Sequence, residues 1–160
     1  MEIIIHPIAP IFDENSKILI LGTFPSVRSR EQNFFYGHPQ NRFWKVMSTL
    51  FDCPLPKTVE EKKSFLQKKG IALWDVIASC KIKGSSDSSI KDVVPNDLSR
   101  ILATADIRAI YTNGKTAQKY YDIYLKKELG TDALCLPSTS PANAAYSFER
   151  LCEEWNTILL

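Results

Sequence analysis

Two rhythms of apolar positions alternate along this chain. Ile18-Leu19-Ile20-Leu21 is an unbroken apolar run that stops at Gly22. A run apolar on both faces reads as a central strand of a parallel sheet, which is covered on both sides. After a polar loop studded with aromatics, Phe43, Met47 and Leu50 recur at helical spacing, and Trp44 and Phe51 widen the stripe. That spacing predicts an amphipathic helix from Asn41 onward. The alternation then repeats. Thr58-Val59-Glu60-Glu61 is a capping box opening a helix that ends at Gly70, where a missing side chain suits a left-handed C-terminal position. Gly70 to Val76 reads as a second buried strand ending on Asp75, Ile107 to Tyr111 as a third and Ala133 to Leu136 as a fourth.

Between these strands, Asn96 or Asp97 caps a short helix carrying Leu98, Ile101 and Leu102. A third long helix spans Gly114 to Leu129 and stops at Gly130. The last helix runs to the C-terminus with Phe148, Leu151, Cys152, Trp155 and Leu159 at helical spacing. Residues 1–16 read as an extended lead-in, because Pro7 and Pro10 exclude a long helix. Ser79 to Ser89, with Gly84 and five serines, reads as a flexible loop. Strands alternating with helices imply an α/β fold: a three-layer α/β/α sandwich around a short four-stranded, mostly parallel sheet. A single domain covers residues 1–160. In such sheets ligands lie beyond the carboxyl ends of the strands. The three polar loops there, Gly22 to Gln40, Asp75 to Ser89 and Pro137 to Asn143, would wall one cleft.

Composition adds limits. With 44% apolar and 24% charged residues and a net charge of +2, the chain is an ordinary globular protein whose charge permits nucleic acid and demands nothing. Arg28, Arg30 and Arg42 flank the central loop. Cys53, Cys80, Cys135 and Cys152 are spread without a Cys-x-x-Cys pair, against a zinc or iron–sulfur site. The N-terminus lacks the basic start and apolar length of a signal peptide, and no stretch approaches the ~20 apolar residues of a membrane span. The expectation is a reduced cytoplasmic protein with free thiols and no membrane partner.

Several motifs bear on chemistry. Gly22-Thr23-Phe24-Pro25-Ser26 is a tight turn whose N–H groups can cradle an anion or a water, or serve structure alone. Asn113-Gly114-Lys115-Thr116 lacks the upstream glycine of a P-loop, so it marks a turn into a helix whose first N–H groups can meet a phosphate. Phe34-Phe35-Tyr36, followed by His38-Pro39-Gln40-Asn41, sets aromatics beside an amide, as a slot for a flat heterocycle requires. On spacing alone these aromatics pack in the core equally well, and Asn41 caps the following helix equally well.

Four segments, taken in order over essentially the whole chain, resemble one family. They are Gly22-Thr23-Phe24-Pro25-Ser26, Tyr36 to Trp44, Ala72-Leu73-Trp74-Asp75-Val76, and Leu136-Pro137-Ser138-Thr139-Ser140-Pro141-Ala142-Asn143. The sequence is similar to the uracil-DNA glycosylase superfamily, and closest to its hypoxanthine-DNA (deoxyinosine) glycosylase branch. The resemblance implies a base-binding set of Gly22, Thr23, Phe24, Tyr36 and Asp75. Tyr36 falls where the family has its stacking aromatic, and Asp75 where it has the reader of the base edge. Phe24 stands where well-studied branches have a water-activating Asp or Asn, and a phenyl ring cannot orient water. The catalytic role therefore passes to Asn41, with His38 and Gln40 in reserve. DNA-binding positions are Pro25, Ser26, Arg28, His38, Ser138, Thr139, Ser140 and Asn143; the last four lie in the loop that wedges into the minor groove. Pro137 stands where some branches have a histidine.

The implied activity is hydrolysis of the N-glycosidic bond of a deaminated base, hypoxanthine or else uracil or xanthine, in double- or single-stranded DNA. The enzyme is expected to be a monomer without metal or organic cofactor, monofunctional because no lysine nucleophile lies in the matched segments. Competing readings are a uracil- or mismatch-specific glycosylase, a non-catalytic lesion reader, and a hydrolase of free dITP-like nucleotides, which would need an acidic metal-binding cluster.

Overall fold

The computed structural model describes residues 1–159; the end of the last predicted helix at Leu160 lies outside them. Four parallel strands form the central sheet: β2 (Ile18–Gly22), β3 (Ile71–Asp75), β6 (Ala109–Asn113) and β7 (Leu134–Leu136), ordered β3-β2-β6-β7. The expected four strands are thus present, and all of their pairings are parallel. Successive side chains of a strand point to opposite faces, and β2 shows the consequence. Ile18 and Ile20 enter one apolar cluster with Phe43, Met47, Leu66 and Trp155, while Leu19 and Leu21 enter another with Leu98, Ile101 and Tyr121. The unbroken apolar run is what a strand covered twice must carry.

On the first face lie α2 (Phe43–Leu50), α3 (Val59–Lys69) and α7 (Phe148–Trp155), and on the second α4 (Ser99–Thr104) and α5 (Lys115–Tyr124). The Thr58 hydroxyl accepts from the Glu61 N–H at 3.1 Å, and Gly70 closes α3 with φ +70°. The long helix expected over Gly114 to Leu129 divides at Leu125 into α5 and a single turn, α6 (Lys126–Leu129). Asp97, rather than Asn96, caps the Ser99 N–H. The last helix ends at Trp155 and continues as one 3₁₀ turn, Asn156–Ile158. None of the described helices is long and apolar enough to cross a membrane.

One layer differs from expectation. A second, antiparallel sheet, ordered β1-β4-β5, is built from β1 (Ile3–Ile5), β4 (Ile77–Lys81) and β5 (Lys91–Pro95). The lead-in therefore contains a strand, and the loop expected from Ser79 begins after Lys81. Short α1 (Val27–Gln32) lies in the loop after β2. The lead-in also runs beside β3, with Ile11 and Leu73 exchanging both backbone hydrogen bonds at 3.0 and 2.9 Å. This draws the N-terminal segment over the carboxyl end of the central sheet.

Candidate active site

The carboxyl ends of β2, β3 and β6 open into a cleft of about 360 Å³, within the range of ligand pockets. Its floor is where β2 and β3 end side by side, with Gly22 paired to Asp75. A side chain at position 22 would collide with Asp75 Oδ1, and the Tyr36 hydroxyl lies close to the same point. Glycine is required here by a neighbour's approach, not by its own backbone angles. Beyond the strand, the buried Asn96 amide donates to the Asp75 and Ile77 carbonyls at 2.9 and 3.2 Å. This ties down the chain that carries the carboxylate.

Asp75 itself is buried, and its Oδ2 accepts from His6 Nε2 at 2.7 Å. His6 Nδ1 receives the Ile8 N–H at 3.1 Å. A backbone N–H can only donate, so Nδ1 carries no proton and the tautomer is set: Nε2–H points at Asp75. The imidazole sits among Phe24, Phe35 and Trp74, with ring centroids 5.7, 6.2 and 6.2 Å away.

Tyr36 holds a left-handed backbone, φ +53°, unfavourable for a bulky residue. Its ring stacks on Phe43 at 4.2 Å between centroids. Its hydroxyl is buried with no partner among the described residues. Burial first, and the Asp75 charge second, push the phenol far above its ordinary range against an opposing pull from the nearby Asn113 side chain, so it remains protonated. Phe24 and Phe35 also line the cleft.

The opposite wall is polar. Asn41 Oδ1 accepts from the Phe43 N–H and from the Thr139 hydroxyl, both at 2.9 Å. The backbone donor identifies that atom as oxygen, so the amide NH₂ is the free end, and Asn41 lines the cleft. Its two possible roles therefore coexist, since the oxygen caps α2 and the nitrogen remains available. Thr139 is fully buried, clamped by Asn113 through two bonds of 3.0 Å. Arg42 spans behind the loop, donating to the carbonyls of Tyr146, Asn143 and Ser140.

The expected residues thus divide. Gly22, Thr23, Phe24, Pro25, Ser26, Tyr36, Asn41, Asp75, Ser138, Thr139 and Ser140 all border the one cleft. Thr139 is buried, with its hydroxyl bonded to Asn41 and Asn113 inside the protein. Ser26 caps α1 through the Ser29 N–H at 3.2 Å. Arg28, His38 and Asn143 stand off the cleft: Arg28 is exposed on α1, His38 Nδ1 accepts from the Gln40 N–H, and Asn143 donates to the Ser138 carbonyl.

Sequence reasoning missed His6, Asn113 and Asp87. The last lies in the Ser85–Ser88 segment on the rim of the cleft. Asp87 is exposed as a residue, yet desolvation of its carboxyl raises it above the ordinary range; the Thr116 hydroxyl opposes that rise and the Asp75 charge adds to it. Serine repetition resembled a flexible loop, and nothing local marked His6. Among the described residues no group of three His, Cys, Asp or Glu is placed to hold a metal ion.

The model of the uracil DNA glycosylase superfamily matches residues 9–159. A hypoxanthine DNA glycosylase of Methanosarcina acetivorans is 36% identical over 150 residues, covering 92% of this chain and 93% of that protein. One of Methanosarcina barkeri is 33% identical over 136 residues, covering 84% and 85%. The solution NMR structure of a Methanosarcina acetivorans protein, provisionally assigned as a uracil DNA glycosylase, superposes with a TM-score of 0.82. It is 33% identical, with coverage of 98% of this chain and 96% of that one.

Proposed function

Because the chain belongs to the uracil DNA glycosylase superfamily, we propose that it excises hypoxanthine from DNA by hydrolysing the N-glycosidic bond, leaving an abasic site. The observation that carries this reading is the meeting of a buried carboxylate, Asp75, and a free amide nitrogen, Asn41, across one aromatic-lined cleft. A deaminated base pairs poorly and is cheaper to extrude than a normal one. Once extruded, it lies against the wall formed by Phe24, Phe35 and Tyr36. Asp75 accepts the ring N–H that hypoxanthine and uracil carry and that adenine lacks at N1.

Asn41 works as a donor. Its oxygen already accepts two hydrogen bonds, so its NH₂ holds the water oxygen and leaves a lone pair for C1′. An amide so used orients water and does not deprotonate it. A carboxylate beside the base opposes a purely anionic leaving group and favours departure of a hypoxanthine protonated by solvent on its imidazole ring, the attacking water returning a proton to solvent once its bond to C1′ has formed. Rate enhancement then comes chiefly from orientation and fixed dipoles. Four free cysteines suit a reducing cytoplasm, and the same reading has the protein act as a monomer.

Duplex and single-stranded oligonucleotides bearing deoxyinosine, deoxyuridine or deoxyxanthosine, incubated with the protein and then treated with alkali, test this. Scission at deoxyinosine is the expected result. Tight binding without scission would leave a lesion reader instead.

A further inference from the structure

Asp75 is a reader with two oxygens, and the structure treats them differently. Oδ2 is taken by His6 Nε2–H at 2.7 Å, in a contact whose partners are only 3% and 5% exposed at their side chains. Oδ1 lies beside Gly22 at the cleft floor, next to the Tyr36 hydroxyl. That hydroxyl is a buried donor without a partner among the described residues, an arrangement folding tolerates only at a cost. Resting on the glycosylase reading above, we propose that His6 is a positioning residue for base recognition, holding Asp75 through Oδ2 so that Oδ1 is the oxygen presented, beside the Tyr36 O–H donor, to the N–H/C=O edge of a lactam.

The pattern defines a substrate class. Hypoxanthine, xanthine and uracil, like guanine and thymine, present a ring N–H beside a carbonyl; adenine and cytosine present a ring acceptor beside an amino group, the reverse order, so the pattern separates hypoxanthine and uracil from the adenine and cytosine they derive from. An acceptor placed next to a donor accepts the first set and leaves two mismatched pairs with the second. His6 matters because it fixes which of the two Asp75 oxygens faces the base. The imidazole cannot turn away: its Nδ1 holds the Ile8 N–H, the His6 backbone N–H is anchored on the Ala78 carbonyl at 2.8 Å, and three aromatic rings enclose the ring. Its proton therefore always faces Oδ2. The N-terminal lead-in, which belongs to neither the sheet edge nor the wedge loop, would thereby set specificity.

The test reads binding without turnover. Duplexes carry 2′-fluoro-arabino analogues, which resist hydrolysis, of either deoxyinosine or the unsubstituted purine nucleoside, whose N1 is an acceptor and which has no carbonyl. The wild type should prefer the hypoxanthine duplex by at least about tenfold, on the scale of a site built around buried polar groups. In Asp75→Asn, His6 Nε2–H still demands an oxygen opposite it and forces the amide NH₂ toward the base, so the preference should reverse in favour of purine. Adding His6→Phe frees that amide to turn, and the reversal should disappear. Tyr36→Phe should weaken hypoxanthine binding several-fold and purine binding little. An Asp75→Asn protein that keeps the wild-type preference overturns the proposal, as does a reversal that persists after His6→Phe. Thermal melting checks the double variant, and if it does not fold, Asp75→Asn alone still decides. Absence of hypoxanthine excision by the wild type would sink the glycosylase reading, a failure separable from this one because the preference is measured without cleavage.

Discussion

The two walls of the cleft are built on opposite plans. The sheet-end wall is dry: Gly22, Asp75 and His6 lie under Phe24, Phe35 and Trp74, with one carboxylate oxygen engaged by one imidazole. The loop wall is polar, and Asn41, Thr139, Asn113 and Arg42 engage nearly all their polar atoms with the protein itself. In a low-dielectric wall a single misplaced charge is costly, which favours discrimination. A wall of braced polar groups keeps one amide nitrogen aimed at a fixed point, which favours chemistry. Under the proposed function, base reading falls to the first wall and hydrolysis to the second.

Substitutions can break that division. The largest effect is expected from Asn41→Ala, with single-turnover excision falling on the order of 10²–10³-fold, as for loss of one preorganised donor. Stability should drop by about 1 kcal/mol, because a helix cap is lost with it. Near-normal excision by Asn41→Ala would return Asn41 to a purely structural part.

Gly22→Ala attacks the other wall. Its new methyl collides with Asp75 Oδ1, and displacement of a reader by about 1 Å can cost on the order of 10²-fold in kcat/KM. That loss should be greater for hypoxanthine than for the unsubstituted purine, and equal losses would contradict the assignment. Arg42→Ala should act mainly on stability, by about 1–3 kcal/mol in denaturant melts, because its charged donors hold three loop carbonyls. Arg28→Ala, an exposed change on α1, should have the smallest effect: uniformly weaker DNA binding and a salt slope reduced by about one. An unchanged slope would place Arg28 away from the DNA.

The two walls were also unequally legible in the sequence. Elements defined by local pattern could be read directly. The run Ile18 to Leu21 announced a strand covered twice, and Thr58 and Gly70 marked both ends of α3. The antiparallel sheet was not legible, because β1 has only three residues, two of them exposed, and β5 contains Lys91, Asp92 and Pro95. What makes these segments strands is pairing with partners far along the chain, such as Ile4 with Cys80. His6 was hidden for the same reason, its partner Asp75 lying 69 positions away. Asn113 was read as a turn residue beside Gly114. It is the last residue of β6, paired with Leu136, the turn being at Gly114 with φ +101°, and its side chain holds Thr139. Asn41 offered two readings that the spacing could not separate, since one atom of the amide serves each.

The most direct measurement is the structure of the protein bound to a duplex carrying a hydrolysis-resistant deoxyinosine. The account predicts an extruded hypoxanthine with N1 about 3 Å from Asp75 Oδ1 and C1′ facing the Asn41 NH₂ across a single water. A base still stacked in the duplex, or one extruded with its N1 turned away from Asp75, would contradict it.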